Sequence, residues 1–196
     1  IVSIVVQLAA YFVMLPAVQH GMLGDFARQA ATNPQIAQMT PDQRAKIAGY
    51  APFFAAITPI ALFFFVFLQT VIMLIFNAMG RGQGSFGKLW AAAMNVTIIY
   101  SLGQVVAAVV VVARGADSFN SGADVQHAVP SIAMLVPGAD VKLAAFLATI
   151  NPFTIWSVIL IAVAMTYVAR VPKLQAWLAA ATSYLVPLLV AVAFAR

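Results

Sequence analysis

Five apolar runs, separated by two long polar stretches and two short basic turns, set the architecture that the sequence predicts. The first, residues 1–18, carries no charge, and Pro16 and His20 mark its exit. Ile1 already stands inside this run, so the expectation is either a processed chain or a span whose start lies upstream. No charged segment precedes it, and residues 1–16 are not read as a cleaved signal peptide. The second run, 51–80, is about thirty residues without a charge and includes Phe53, Phe54, Phe63, Phe64, Phe65 and Phe67. At 1.5 Å per residue it reaches roughly 45 Å, more than the ~30 Å hydrocarbon core, which predicts tilt or protrusion, with Pro59 as a kink site. The third run is 89–113, the fourth 143–169 and the fifth 174–195. Thr149-Ile150-Asn151-Pro152 gives the fourth a helix-start signature, and from there to Arg170 the chain is long and apolar enough to cross a bilayer.

The polar stretches have their own pattern. Residues 20–50 hold Asp25, Arg28, Asp42, Arg44 and Lys46 among small residues. Thr40-Pro41-Asp42-Gln43 predicts a capped surface helix, Thr40 as cap and Gln43 closing a capping box. Met22, Leu23, Phe26, Ile36, Met39 and Ile47 suit a lipid interface. The second stretch, 114–142, holds Asp117, Asp124, His127 and Asp140. Its apolar middle, 125–136, is short and broken by Pro130, which predicts an interfacial or partly re-entrant segment.

Composition excludes a water-soluble domain: 64% of residues are hydrophobic and 8% charged, against about 25% charged in ordinary soluble domains. Glu and Cys are both absent, which rules out disulfides, thiolate metal sites and cysteine nucleophiles. A formal charge of +5 suggests nucleic acid in a soluble chain, but here the cations sit at the ends of apolar runs, as membrane anchors do. The turns 81–88 and 170–173 carry Arg81 with Lys88 and Arg170 with Lys173 and no acid, whereas the long stretches hold all five Asp. Cations in short loops mark the cytoplasmic side. The expected topology therefore has a cytoplasmic start and an external C-terminus.

Candidate chemistry is sparse. Gly82-Gln83-Gly84-Ser85-Phe86-Gly87-Lys88-Leu89 nearly spells a P-loop but has Leu89 where magnesium needs Ser or Thr, and a membrane helix precedes it instead of a strand. A turn whose glycines allow tight reversal is the better reading. His20 and His127, with Asp25 and Asp124, make a minimal zinc set, but no metal-ligand spacing links them; they read as solvated loop histidines. No nucleophile has a base in reach, so no enzyme, cofactor or metal is expected. Of the polar residues inside spans, Asn77, Asn95, Gln104 and Asn151 are the candidates for helix packing or a solute pathway, beside Gln7 and Gln69. No ionisable group enters a span, which weighs against ion-coupled transport. Gly103 and Ala107 offer close helix packing within the monomer, with dimerisation as the alternative. Trp90, Trp156, Trp177, Tyr50, Tyr167 and Tyr184 are placed mostly as interfacial anchors.

Two segments carry a resemblance. Gly82-Gln83-Gly84-Ser85-Phe86-Gly87-Lys88, leading to Asn95, Tyr100 and Ser101, resembles the cytoplasmic turn and third helix of bacterial members of the Yip (Ypt-interacting-protein) membrane-domain family. Residues 150–160, Ile-Asn-Pro-Phe-Thr-Ile-Trp-Ser-Val-Ile-Leu, are similar to the start of that family's penultimate helix. The resemblance implies a five-helix membrane domain with a cytosolic start and an outer C-terminus. Eukaryotic relatives are associated with Rab-type GTPases, but their Asp-Leu-Tyr-Gly-Pro motif is missing here. High Ala and Val usage and the lack of a eukaryotic sorting signal agree with a bacterial inner membrane.

The sequence thus predicts an all-α, polytopic membrane protein with five transmembrane helices and short interfacial helices in the two external loops, forming one membrane domain. It is expected to be a non-enzymatic membrane-organising or partner-binding scaffold. The alternative is a channel or transporter for a small solute or lipid. Expected partners are membrane lipids and a protein partner or second copy, not nucleic acid.

Overall fold

The computed structural model describes residues 2–136 and 141–194; Ile1, Asp140 and the last residue of the fifth run lie outside them. Among the described residues all regular structure is helical. In chain order come α1 (Val2–Gln29), α2 (Pro34–Ala37), α3 (Pro41–Ala48), α4 (Ala51–Met79), α5 (Phe86–Arg114), α6 (Gly122–Gln126), α7 (Val141–Ala148), α8 (Pro152–Tyr167) and α9 (Lys173–Phe194), with 3-10 turns at Ala116–Ser118 and Ile132–Leu135. Three stretches among the described residues are long and apolar enough to cross a membrane: α1, α4 with the α3 that leads into it, and α5. A fourth is reached when α7 and α8, bent by 60°, count as one span.

The helices fall into two compact units, one of residues 1–60 and 103–129, the other of 61–102 and 130–196. In the first unit, α1 turns Ser3, Gln7, Ala10, Met14, Ala17 and Gly21 inward at alternating steps of three and four, the stripe of one helix face. Ala10, Met14 and Ala17 pack with Ala107, Ala108 and Val111 of α5 and with a fully buried Phe119. Ala107 is thus used for packing inside the monomer.

α1 does not stop at Pro16 or His20. It continues to Gln29, although Pro16 removes a backbone donor and crowds the preceding turn. The residues beyond it stay helical because the 119–124 segment packs along them. A Cβ at Gly21 would lie 2.7 Å from the Ser121 carbonyl, and one at Gly24 would collide with that of Asn120. Two α1 glycines are therefore required by close approach of another backbone. Thr40 caps α3 through a complete capping box with Gln43, as its sequence predicts.

In the second unit, α4 buries Val66, Gln69, Thr70, Met73 and Asn77 along one face, and α9 buries Ala176, Ala179, Ala180 and Ser183. Small residues on α9 permit close packing against α8, which contributes Ser157, Ile161, Ala162 and Met165. The run expected as one span over 143–169 is broken. Pro152 has no N–H and disfavours a helical residue before it. Asn151 is extended (φ −133°, ψ 165°) and its Oδ1 accepts from the Phe153 and Thr154 amides at 3.0 Å, starting α8 afresh. The Ile132 amide donates to the Ile150 carbonyl (3.1 Å), docking the 3-10 turn of the second long stretch onto this break.

The distribution of side chains is inverted relative to a soluble protein. Phe53, Phe63, Phe64, Val109, Val112 and Leu189 are each more than half exposed, while Gln69, Thr70, Ser157 and Ser183 are buried. Apolar exposure on this scale marks surfaces covered by lipid rather than water.

Candidate functional site

The two basic turns, far apart in sequence, meet in the second unit. α4 ends in a Schellman arrangement: the Gly82 amide donates to the Asn77 carbonyl (2.7 Å) and the Arg81 amide to that of Ala78 (3.2 Å), with Arg81 left-handed at φ 51°. The buried Asn77 side chain then fixes the return. Its Nδ2 donates to the Gly84 carbonyl and its Oδ1 accepts from the Gly84 amide, both at 3.0 Å.

α8 ends differently, in a widened turn. The Ala169 amide reaches the Ala164 carbonyl and the Val171 amide that of Met165, with Arg170 between them at φ 55°. The two ends are joined by a 2.6 Å hydrogen bond from the Gln83 amide to the Ala169 carbonyl. A Cβ at Gly82 would stand 2.6 Å from Val171 Cγ2 and 2.7 Å from the Ala169 carbonyl oxygen; one at Gly84 would stand 2.9 Å from Ala169 Cβ. The glycines of this turn permit contact with another turn as well as chain reversal.

The joint gathers four cations. Arg81, Lys88, Arg170 and Lys173 are all exposed. In the other unit, by contrast, Arg28 pairs with Asp25. Arg81 and Arg170 are also the only described non-glycine residues with positive φ. Each left-handed arginine costs about 1–2 kcal/mol that glycine would avoid. Aromatic rings border the joint: Phe86 stacks on Trp90 at 5.7 Å and Phe63 meets Trp90 edge-on at 5.5 Å.

The other residues singled out by sequence lie apart. Asn95 is exposed on α5 and its Nδ2 donates to the Ala91 carbonyl of its own helix (2.9 Å). Gln104 is half-buried in the first unit, and Asn151 is the α8 cap. His20 is not a solvated loop residue: it sits on α1 with Nδ1 2.9 Å from the Phe119 carbonyl oxygen. Nearby, Asp25 accepts from the Gly122 amide (2.8 Å) and Asp124 from that of Asn120 (3.0 Å). His20, Asp25 and Asp124 thus gather on one segment, where they bind backbone. No group of three or more His, Cys, Asp or Glu among the described residues is placed to hold a metal.

No family model, curated protein or solved structure matches this chain.

One polar cluster stands out only in three dimensions. Gln69 of α4 is 1% exposed, and neither its Oε1 nor its Nε2 has a partner at hydrogen-bond geometry. The Tyr184 hydroxyl lies within electrostatic reach of both Gln69 and Ser157, and its ring meets Phe65 edge-on at 6.2 Å. Tyr184 therefore faces the interior of the unit instead of anchoring at an interface. Gln69 was visible in the sequence as a polar residue inside a span, but nothing local marked it above Gln7 or Gln104.

Proposed function

We propose that the chain is a Yip-like, non-enzymatic integral membrane protein that organises the membrane or binds a protein partner. In this reading it has five spans, α9 supplying the fifth, and sits in a bacterial inner membrane with its basic turns in the cytoplasm and its C-terminus outside. The observation that carries the reading is how its polar side chains are used. Asn77 and Asn151 bind backbone of their own turn or helix end, and Asn95 binds the Ala91 carbonyl inside its own helix, uses that serve packing and capping. The exposed apolar helix faces supply a surface for lipid or for another span.

A second reading, passage of a small neutral solute, rests on Gln69. A buried amide without partners costs about 1–3 kcal/mol per group, and water or a solute between Gln69, Ser157 and Tyr184 would remove that cost. Reconstitution separates the two. Liposomes bearing the protein should show the same flux of water and small neutral solutes as protein-free liposomes, and the solubilised protein should migrate with a partner or as an oligomer. Flux above control that Gln69→Met abolishes, from a bare monomer, would establish passage and contradict the scaffold.

A further inference from the structure

We propose that the joined turns form a binding site for the phosphate headgroup of an acidic phospholipid, held by Arg81 and Arg170 with Lys88 and Lys173 around them. The inference rests on the membrane reading above, with the turns at the cytoplasmic surface.

Three observations converge on it. The Gln83 to Ala169 hydrogen bond and the contacts of Gly82 and Gly84 with Val171 and Ala169 hold the turns together, so the four cations belong to one surface. The turns themselves contain no acid, and the second unit has one Asp in sequence, Asp140, on the chain between α5 and α7. The third observation is conformational. Both helix ends place arginine at the left-handed position where glycine is the ordinary residue. Glycine stands one residue away on both sides of Arg81, so a sequence tuned only for the turn would put it there. The guanidinium is worth more than the relaxed backbone, and a planar fork of donors is suited to bidentate contact with phosphate.

The surroundings favour a lipid over a free phosphate. Met79 is 66% exposed, Tyr167 75% and Leu174 69%, and all three lie within a few residues of the turns. An acyl chain can follow these side chains while its headgroup meets the cations. Each Lys or Arg near an anionic membrane surface contributes about a fivefold gain in affinity.

The test uses the full chain in neutral detergent, with bound lipid counted by native mass spectrometry. Titration with phosphatidylglycerol should give tighter binding than phosphatidylcholine. Arg81→Gly and Arg170→Gly should each weaken phosphatidylglycerol about fivefold and together about twenty-five-fold, while Lys46→Gln, in the other unit, changes nothing. Because glycine accepts the left-handed backbone, both variants should keep or raise the melting temperature in phosphatidylcholine. Wild-type phosphatidylglycerol affinity in the double variant would overturn the site. Loss of binding with a lower melting temperature would also overturn it, since the arginines would then be holding the turn. Full competition by equimolar glycerol 3-phosphate would reassign the site to a free phosphate. A chain that remains dispersed and monomeric without detergent would instead remove the membrane reading itself.

Discussion

Each unit ties a helix end to a distant segment, and the two do it with different chemistry. In the first, ionisable groups make the joint: Asp25 receives the Gly122 amide and pairs with Arg28, Asp124 receives the Asn120 amide, and His20 meets the Phe119 carbonyl. In the second, a neutral amide does the work, Asn77 holding Gly84 by both its oxygen and its nitrogen. The Asp25 side chain is 34% exposed, whereas Asn77 is 8% exposed. A carboxylate is tolerable where water still reaches it, and a buried turn is better closed by a group with no charge to desolvate.

Charge follows the same division. The first unit sets Arg28, Arg44, Lys46 and Arg114 against Asp25, Asp42, Asp117 and Asp124, so it is formally balanced. The second sets Arg81, Lys88, Lys142, Arg170, Lys173 and Arg196 against Asp140, so the whole +5 resides there. One joint satisfies its charges internally; the other directs its cations outward.

The comparison breaks most sharply at its two anchors. Asn77→Leu strands the Gly84 amide and carbonyl together and should lower unfolding stability in detergent by about 2–6 kcal/mol, at 1–3 kcal/mol for each orphaned group. Asp25→Leu should cost only about 1 kcal/mol, because water can replace a partly exposed carboxylate at the Gly122 amide. Equal losses would show that exposure does not separate the joints. A smaller effect is expected at the break before α8, where Asn151→Leu should cost about 1 kcal/mol as a lost cap. Unchanged unfolding there would mean that Pro152 alone sets the helix start.

How far the sequence discloses this depends on the range of the interaction. Local features were legible: the Thr40 capping box, the Asn151 cap, and the ends of α4 and α5 near Met79 and Arg114, where glycine or charge interrupts an apolar run. The continuation of α1 was not, because Pro16 and His20 mark the exit of an apolar run, while the helix persists on contacts from residues almost a hundred positions away. The glycines from 80 to 84 read as a tight turn, and the contact that requires them comes from Val171, which no local pattern announces. The break at Asn151 was present in the sequence as a start signal, but the apolar residues before it disguised an ended helix as one long span.

The proposal most open to direct test is that α5 spans the membrane, with the basic turn before it in the cytoplasm and the 115–128 segment outside. The chain contains no cysteine, so single cysteines at Ser85 and Ser118, both exposed and outside the long helices, report without background. In sealed, right-side-out vesicles an impermeant maleimide should label Ser118→Cys and leave Ser85→Cys unmodified, and inverted vesicles should reverse the result. Labelling of both from the same side would contradict the account.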